Sequence, residues 1–268
     1  MTDHLHRLTL PQLLTWIFQE NEGNRIFGIY KKLFYQPQPS DPFRMHRYGK
    51  LLETPLGVAA GPHTQLAQNI IASWLCGARY IELKTVQTLD RITVTKPCIE
   101  MEDEGYNCEW SQELTLDDSF DEYLNAWIIL HILNHLWYPE KTEQGFIFNM
   151  SVGYNLEGIL NPNVQRFLDR MTGCRDILEE KLSQIRNIYP RINEVKIPAS
   201  ITDNITISTM HGCPPEEIQS IAEYFISERK LHTAIKLNPT LLGPAHLRAI
   251  LNDQLGYDTV VPDEAFAH

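Results

Sequence analysis

With 268 residues, 43% of them hydrophobic and 21% charged, the chain is too apolar for a disordered protein and long enough to bury the core of one large domain. Its formal net charge of −11 argues against a general attraction to nucleic acid or to an anionic membrane surface. No apolar run is long enough to cross a bilayer, and the first residues lack the layout of a signal peptide, so we expect a cytoplasmic protein.

The first 50 residues predict a helical extension ahead of the main fold. Apolar residues recur at helical spacing over Leu10–Glu20, and Ile26–Tyr35 is predicted as a second short helix. Gln36–Phe43 holds three prolines and predicts a linker. We therefore expect two parts, an N-terminal helical extension over 1–50 and a main domain over 51–268.

The main domain is predicted to open with a strand, a helix and a second strand. Leu56–Ala60 is a short apolar run, typical of a strand buried on both faces, and Gly61-Pro62 ends it. Thr64 is placed to cap the helix that follows, and Gly77 is placed to end that helix. The second strand is predicted over Tyr80–Val86.

Such a βαβ unit has parallel strands, and barrels and open sheets of this kind bind ligands at the carboxyl ends of their strands. Ala60 and Gly61 are therefore expected on the same edge as Lys84 and Thr85. The small residues allow a flat ligand to approach the backbone, and the lysine supplies a charge.

The alternation continues to the end of the chain. Further strands are predicted over Gly145–Ser151, Ile205–Ser208 and Thr233–Leu237, further helices over Asp117–Tyr138, Asn161–Pro190 (one helix or two), 214–230 and Pro244–Leu255, and the start of a sixth strand over Gly256–His268. Alternating strands and helices allow either an open doubly wound sheet or a (β/α)8 barrel. Polar residues follow four or five different strands, and this distribution favours the barrel.

Lys84 and Lys236 end the second and fifth predicted strands. A lysine in such a position serves a phosphate, a Schiff base or the electron-rich edge of a reduced flavin. The alternative is a lysine paired with a core acid such as Glu82. Two lysines at matching strand ends, beside Thr85 and beside Asn149 near the end of the third strand, argue against that alternative.

Cys213 stands apart from the other four cysteines, and no CxxC pair that would indicate a zinc or iron–sulfur site is present. It follows the fourth strand beside His211 and precedes a helix, a position that favours the reactive thiolate. The alternative is an inert buried cysteine, which we expect of the other four.

Two further polar features precede it in the chain. Asn107 follows a run of acidic residues in a loop, where its amide can be presented to a ligand. His131 and His135 lie four residues apart on a helix, but without a nearby acid we expect ordinary helix positions rather than metal ligands.

Taken together, these residues resemble the FMN barrel of the dihydroorotate and dihydropyrimidine dehydrogenases. The more detailed resemblance is to the N-terminal part of a family designated selenate reductase subunit. The phrases that carry the resemblance are GPHTQLAQNI, IELKTVQTLDR, FIFNMSVGYNLEGI, STMHGCPP and KLNPTLLG. The resemblance itself spans nearly the whole chain.

The resemblance implies a (β/α)8 barrel of the dihydroorotate dehydrogenase type with FMN as its cofactor. It implies cofactor contacts from Ala60, Gly61, Lys84, Thr85, Asn149 and Lys236, substrate contacts from Asn107, Asn238 and Thr240, and proton transfer by Cys213. Lys236 would neutralise the reduced ring near N1, and Cys213 would face N5 from the opposite side of the substrate.

The chain departs from that family in three ways. The pyrimidine enzymes have an NxSCP pattern where this chain has Met210-His211-Gly212-Cys213, and an insertion at about Leu156–Asn204 separates strands three and four. About five or six βα units are present, whereas strands seven and eight hold the flavin phosphate in this family. We therefore expect a barrel incomplete at its C-terminus, inactive by itself and part of a larger or split reductase. Its iron–sulfur clusters and its FAD or NADPH sites are expected in other parts of that protein.

The resulting hypothesis is an oxidoreductase module that passes a hydride between FMN and a small, pyrimidine-like substrate. Its expected partners are that small molecule and the remaining domains or subunits of a reductase, with neither nucleic acid nor a membrane. The main alternative is a non-catalytic scaffold or electron-transfer domain in a reductase complex. A lysine-dependent aldolase also suits the fold, but it leaves Cys213 and Asn107 without a role.

Overall fold

The computed structural model describes residues 4–86, 88, 96, 98–100, 106–107, 112–208 and 215–266. Its first helix, α1 (Leu10–Glu22), begins with a capping box, in which the Thr9 hydroxyl accepts the N–H of Gln12 and the Gln12 side chain accepts the N–H of Thr9. One face of α1 is buried in the core. The helix predicted over Leu10–Glu20 is thus confirmed, with its end two residues later.

The second predicted helix, over Ile26–Tyr35, is wrong. Strands β1 (Arg25–Ile26) and β2 (Ile29–Tyr30) form an antiparallel hairpin there. The two turn residues, Phe27 and Gly28, both have positive φ, as a tight two-residue hairpin turn requires. The glycine was the sequence signal for this turn, and the apolar residues around it belong to strands.

A second hairpin of the same kind follows before the main domain. A 3-10 turn at Lys31–Leu33 leads towards β3 (Met45–Arg47) and β4 (Lys50–Leu52), which are joined by Tyr48 and Gly49, both with positive φ. The N-terminal region is therefore one helix and two hairpins rather than two helices.

The main domain alternates strands and helices as predicted. In chain order its elements are β5 (Gly57–Val58), α2 (Ala67–Leu75), β6 (Tyr80–Glu82), β7 (Ile99–Glu100), β8 (Tyr106–Asn107), α3 (Leu116–Trp137), β9 (Ile147–Val152), α4 (Leu156–Ile159), α5 (Pro162–Thr172), α6 (Arg175–Ile185), β10 (Asn204–Ser208), α7 (Pro215–Glu223), β11 (His232–Lys236) and α8 (Pro244–Arg248). Five strands form one sheet in the order β11-β10-β9-β6-β5, and every neighbouring pair is parallel. β7 and β8 form a separate antiparallel hairpin. The α/β fold of parallel strands in barrel order is confirmed.

Several predicted helices differ in their details. The predicted helical stretch Asn161–Pro190 is the pair α5 and α6, followed by a 3-10 turn. π-helical turns extend α7 over Tyr224–Glu228 and α8 over Ala249–Gln254. None of the helices in the described part of the chain is both long and apolar enough to span a membrane.

The strand predicted to start within Gly256–His268 is absent over residues 256–266. The side-chain amide of Asn252 donates to the carbonyls of Tyr257 and Thr259, at 2.7 and 2.9 Å. A 3-10 turn then forms at Asp263–Phe266. These backbone groups are satisfied locally, so they do not require a neighbouring strand.

Helix α2 is capped differently from the prediction. The Thr64 hydroxyl accepts the N–H of Gly61 at 3.1 Å and stays within the turn that precedes the helix. The helix begins at Ala67, whose N–H donates to Glu122 Oε2 at 2.8 Å. The cap therefore comes from α3, 55 residues later in the chain.

Side chains alternate between the two faces of the main sheet. In β9, Phe148, Met150 and Val152 join the apolar core that packs against the helices. The intervening Asn149 and Ser151 are buried but make hydrogen bonds on the opposite face. One face of the sheet is thus apolar and the other is lined by polar groups. The site described below lies on the polar face.

The amino ends of the strands are fixed by a buried ion pair. Arg79 Nε donates to Glu53 Oε2 at 2.7 Å, and Lys141 Nζ lies 2.5 Å from Glu53 Oε1. The Arg79 guanidinium also donates to the carbonyl of Trp74 and stacks over its ring. This cluster is structural and lies at the end of the sheet away from Lys84 and Lys236.

Candidate functional site

The carboxyl ends of β5, β6 and β11 bring together residues that lie far apart in the chain. Ala60 and Gly61 follow β5, Lys84 and Thr85 follow β6, and Lys236 ends β11. Because the strands are parallel, these residues lie at one edge of the sheet. We call this set the carboxyl rim. The predicted placement of these five residues on one edge is confirmed, whereas their roles towards a cofactor stay predictions.

Glu82 joins two parts of the carboxyl rim. Its Oε2 accepts the backbone N–H of Ala60 at 3.1 Å, and its Oε1 lies 2.8 Å from Lys236 Nζ. The Glu82 side chain is 9% exposed and the Lys236 side chain is 39% exposed. For Lys236 the structure therefore shows the pairing with a core acid that the sequence left as an alternative. The ammonium group remains reachable from outside.

Lys84 is the more deeply buried lysine, with 3% of its surface exposed. The Tyr123 hydroxyl donates to its backbone carbonyl at 3.3 Å. His63 lies beside Lys84 at this corner of the rim, and its imidazole donates a hydrogen bond to the Ala59 carbonyl. Burial of the imidazole, together with the Lys84 ammonium, lowers the pKa of His63 despite that hydrogen bond. His63 is therefore neutral at pH 7.

Hydroxyl and amide groups line the face between the lysines. Thr85 Oγ1 and Ser151 Oγ are 2.8 Å apart. Asn149 is fully buried and exchanges two hydrogen bonds with the Thr206 hydroxyl, at 2.7 and 3.0 Å. Asn149 lies in the middle of β9, in register with Glu82, rather than near the end of its strand. Its amide is engaged by the neighbouring strand, and its predicted cofactor contact stays a prediction.

The residues that follow β11 form a turn. The Asn238 side-chain oxygen accepts the N–H of Thr240 at 3.1 Å and begins a short 3-10 helix. Asn238 is exposed and Thr240 is half-buried. Both follow the carboxyl rim, as predicted, and their contacts with substrate are untested.

Two predicted residues cannot be placed. Cys213, with its neighbour His211, lies outside the described residues, so the proposed proton donor has no described position. Asn107 contributes to β8 through its backbone, paired with Ile99, but its side chain is not among those described. The roles of Cys213 and Asn107 stay predictions.

Of the two helical histidines, His131 is buried in the core and His135 is partly exposed. His131 packs against Trp127 and Phe146, and burial lowers its pKa to about 3. His135 Nε2 lies 4.0 Å from Glu194. Across the described parts of the chain, no group of three side chains is arranged to hold a metal ion.

Three of the other four cysteines are described, and only Cys174 is buried as expected, since Cys98 is half-buried and accepts a hydrogen bond from Lys96 Nζ at 3.4 Å. The Cys174 thiol is buried against the Ala199 carbonyl, and burial raises its pKa to about 11. Cys76 is exposed at the end of α2, which corrects the expectation that it is buried.

Sequence reasoning missed four residues near the site. His63, Ser151, Thr206 and Ser208 were not singled out, although a period-two pattern of polar residues runs through β9 and β10. In β10, Ile205 and Ile207 lie in the core, and the threonine and serine between and after them are polar. Such alternation in a buried strand signals a polar inner face.

The fold and the carboxyl rim together define an α/β barrel domain with charged and polar groups at the strand ends, where barrel enzymes carry their active sites. The chain belongs to the family described as oxidoreductase YgfK, N-terminal TIM-barrel domain, whose model matches residues 27–268.

Two curated relatives are similar to the chain. "Putative oxidoreductase YgfK" of Escherichia coli strain K12, and the protein of the same name in Escherichia coli O157:H7, are each 45% identical over 100% of this chain. The chain spans 28% of the length of both. None of these descriptions mentions selenate, so the resemblance to a selenate reductase subunit stays a prediction.

Solved structures that are similar to the chain include two of dihydroorotate dehydrogenase (DHODH) from Eimeria tenella. The ligand-free one has a TM-score of 0.40 and 18% identity, over 80% of this chain and 67% of its own. The complex with ferulenol has a TM-score of 0.41 and 17% identity, over 81% of this chain and 65% of its own. At these values the likeness says nothing about activity.

Proposed function

We propose that the chain is the FMN-binding barrel of a larger reductase, which passes a hydride between FMN and a small unsaturated substrate. The observation that carries this proposal is the convergence of two lysines on one rim beside the Ala60-Gly61 backbone. A flat anionic cofactor needs both features: a place where its ring approaches the backbone, and positive charge at its edge.

The described residues fit FMN in their chemistry. Lys236 presents a partly exposed ammonium at the end of β11, and Lys84 holds a second, buried one after β6. Thr85 and Ser151 supply hydroxyl groups that both donate and accept hydrogen bonds. The two cations suit the electron-rich edge of a flavin, whose negative charge increases on reduction.

When bound, FMN would supply the chemistry of hydride transfer. The chain's own residues would bind and orient it: Ala60 and Gly61 by close backbone approach, Lys84 and Lys236 by charge. Lys236 would stabilise the negative charge of the reduced form, because a fixed cation in a partly dry site interacts strongly with a developing anion. Asn107, Asn238 and Thr240 would orient the substrate, and the Cys213 thiol would give or take the substrate's proton.

The Glu82–Lys236 pair also favours a second candidate, the non-catalytic scaffold or electron-transfer domain. A lysine already neutralised by a buried acid holds the sheet together without any ligand. The two candidates differ in whether Lys236 is needed for a bound flavin or only for the barrel.

Titration of the flavin-stripped native protein with FMN, followed by the quenching of flavin fluorescence, tests the proposal. We expect saturation at one FMN per barrel and a loss of affinity of at least tenfold in the double variant Lys84→Met, Lys236→Met. A protein that binds no FMN contradicts the proposal, and so does a double variant that binds FMN as well as the wild type. Either result would favour the non-catalytic scaffold or electron-transfer domain.

A further inference from the structure

We propose that Glu82 is a positioning residue that holds Lys236 at the carboxyl rim and lowers the reduction potential of the flavin. This inference rests on the proposed function, because it needs a bound FMN. It goes further by assigning the redox balance of the site to a residue that is not expected to touch the cofactor.

The two oxygens of the Glu82 carboxylate have separate partners. Oε2 accepts the Ala60 N–H at 3.1 Å, and Oε1 lies 2.8 Å from Lys236 Nζ. The first contact fixes the carboxylate to the backbone that follows β5, and the second fixes the lysine of β11. Since the Glu82 side chain is 9% exposed, it has little freedom to turn away and follow a moving lysine.

The geometry makes Glu82 a tether across the sheet. A lysine side chain has a long flexible stem and loses considerable rotamer freedom when it is held in one place. The tether imposes that ordering before any ligand arrives, so less ordering remains for FMN to impose. The Lys236 side chain is nevertheless 39% exposed, so a ligand can approach it.

The same tether sets the charge that a flavin would meet. Lys84 and His63 also face this corner, the first a buried lysine and the second an imidazole held neutral by burial and by Lys84. A carboxylate at 2.8 Å offsets much of the Lys236 charge. Reduction of FMN to its anionic form takes up two electrons and one proton, so the offset disfavours the reduced state.

The test is the midpoint potential of FMN bound to the native protein, titrated with dithionite as the electron donor. Glu82→Gln keeps an oxygen that accepts the Ala60 N–H but removes the charge. We expect the ratio of affinities for reduced and oxidised FMN to rise at least tenfold, which is an increase of about 30 mV for a two-electron couple.

A smaller increase, no change or a decrease overturns the proposal. A merely structural role would weaken FMN binding without this preference for the reduced form. Glu122→Gln is the matched control, because Glu122 is a buried acid that also accepts a backbone N–H but does not contact Lys236. The midpoint potential of FMN bound to Glu122→Gln should equal that of the wild type.

A second variant keeps the proposal open to refutation. If Glu82→Gln does not fold, Glu82→Asp replaces it, with a smaller increase of the same sign expected and an unchanged or lower potential overturning the proposal. If the wild-type protein binds no FMN, the proposed function itself is overturned. If the wild type binds FMN but the variant has the same midpoint potential, only the role of Glu82 is overturned.

Discussion

Lys236 and Glu82 form an ion pair of 2.8 Å although two strands, β9 and β10, lie between their own strands. Neighbouring strands are about 4.8 Å apart, so β6 and β11 would be about 14 Å apart in a flat sheet. Side chains stand roughly perpendicular to a flat sheet and would not meet across that distance. The contact therefore shows that the sheet curves from β6 to β11 around a common interior, as in a barrel.

Loss of the Lys236 ammonium should weaken the binding of reduced FMN more than that of oxidised FMN. For Lys236→Met we expect at least a tenfold loss for the reduced form, measured by fluorescence titration under anaerobic conditions, because the cation stabilises the added negative charge. Lys196→Met, at an exposed lysine away from the carboxyl rim, is the control and should leave both affinities unchanged. Equal affinities in wild type and Lys236→Met would count against the flavin role of this lysine.

Replacement of the proposed proton donor should affect turnover without affecting cofactor content. Cys213→Ser in the native protein should slow substrate turnover by roughly 100-fold, the usual scale for the loss of an acid–base group. FMN content should stay at the wild-type level, since Lys84 and Lys236 are intact. Cys76→Ala is the control, and full activity of Cys213→Ser would remove the residue from the mechanism.

Glu122 makes the stability of the domain depend on pH. Burial raises the pKa of its carboxyl to about 7 in spite of the Ala67 N–H that it accepts. The folded state therefore holds this proton more tightly than the unfolded state, whose carboxyl has a pKa near 4.5. The free energy of unfolding should accordingly fall as the pH rises from about 4.5 to 7, by an amount on the order of 2 kcal/mol.

Urea unfolding of wild type and Glu122→Gln at pH 5 and pH 8 measures this effect. Glutamine still accepts the Ala67 N–H but does not titrate, so the variant should lose less stability between the two pH values. The same difference in both proteins would show that Glu122 does not titrate in this range.

The buried pair at the amino end should matter for stability and not for the cofactor. Arg79→Met leaves the Glu53 carboxylate partly unpaired in the core, and the loss of one partner of a buried ion pair costs about 3–5 kcal/mol. Urea unfolding should show this decrease, while the FMN affinity of the folded variant should be unchanged. A loss below about 1 kcal/mol would mean that Lys141 alone neutralises Glu53.

The edge strand β11 predicts self-association of the 268-residue chain expressed alone. β11 pairs with β10, no second strand partner is seen for it in the described part of the chain, and Leu237 beside it is 64% exposed. Exposed apolar edges promote pairing between molecules. Light scattering after size exclusion should therefore show oligomers, which Ile235→Lys should reduce. A monodisperse wild-type monomer would contradict this prediction.

The sequence predicts the βα alternation and the parallel sheet well, because short apolar runs and glycine-terminated helices are local patterns. It also predicts the carboxyl rim, because once the parallel strands are located, the residues at their carboxyl ends must lie at one edge of the sheet. The Phe27-Gly28 hairpin was mistaken for a helix because its apolar residues suit both periods, and only the backbone at Gly28 distinguishes them.

Contacts between distant elements could not be predicted from local patterns. The cap on Ala67 comes from Glu122 in another helix, and Thr64, the local candidate, binds within its own turn. The sequence offers Glu82 only as one core acid that a lysine can pair with, because nothing in the residues around it indicates that β11 curves back towards β6. The role of Cys213 depends on its motif alone.

The visible absorption spectrum of the native protein, purified without added cofactor, tests the central claim most directly. The account predicts the spectrum of an oxidised flavin, in a ratio of one FMN per barrel, which dithionite bleaches and which Lys84→Met, Lys236→Met loses. A colourless protein that also fails to acquire this spectrum when FMN is added would contradict the account.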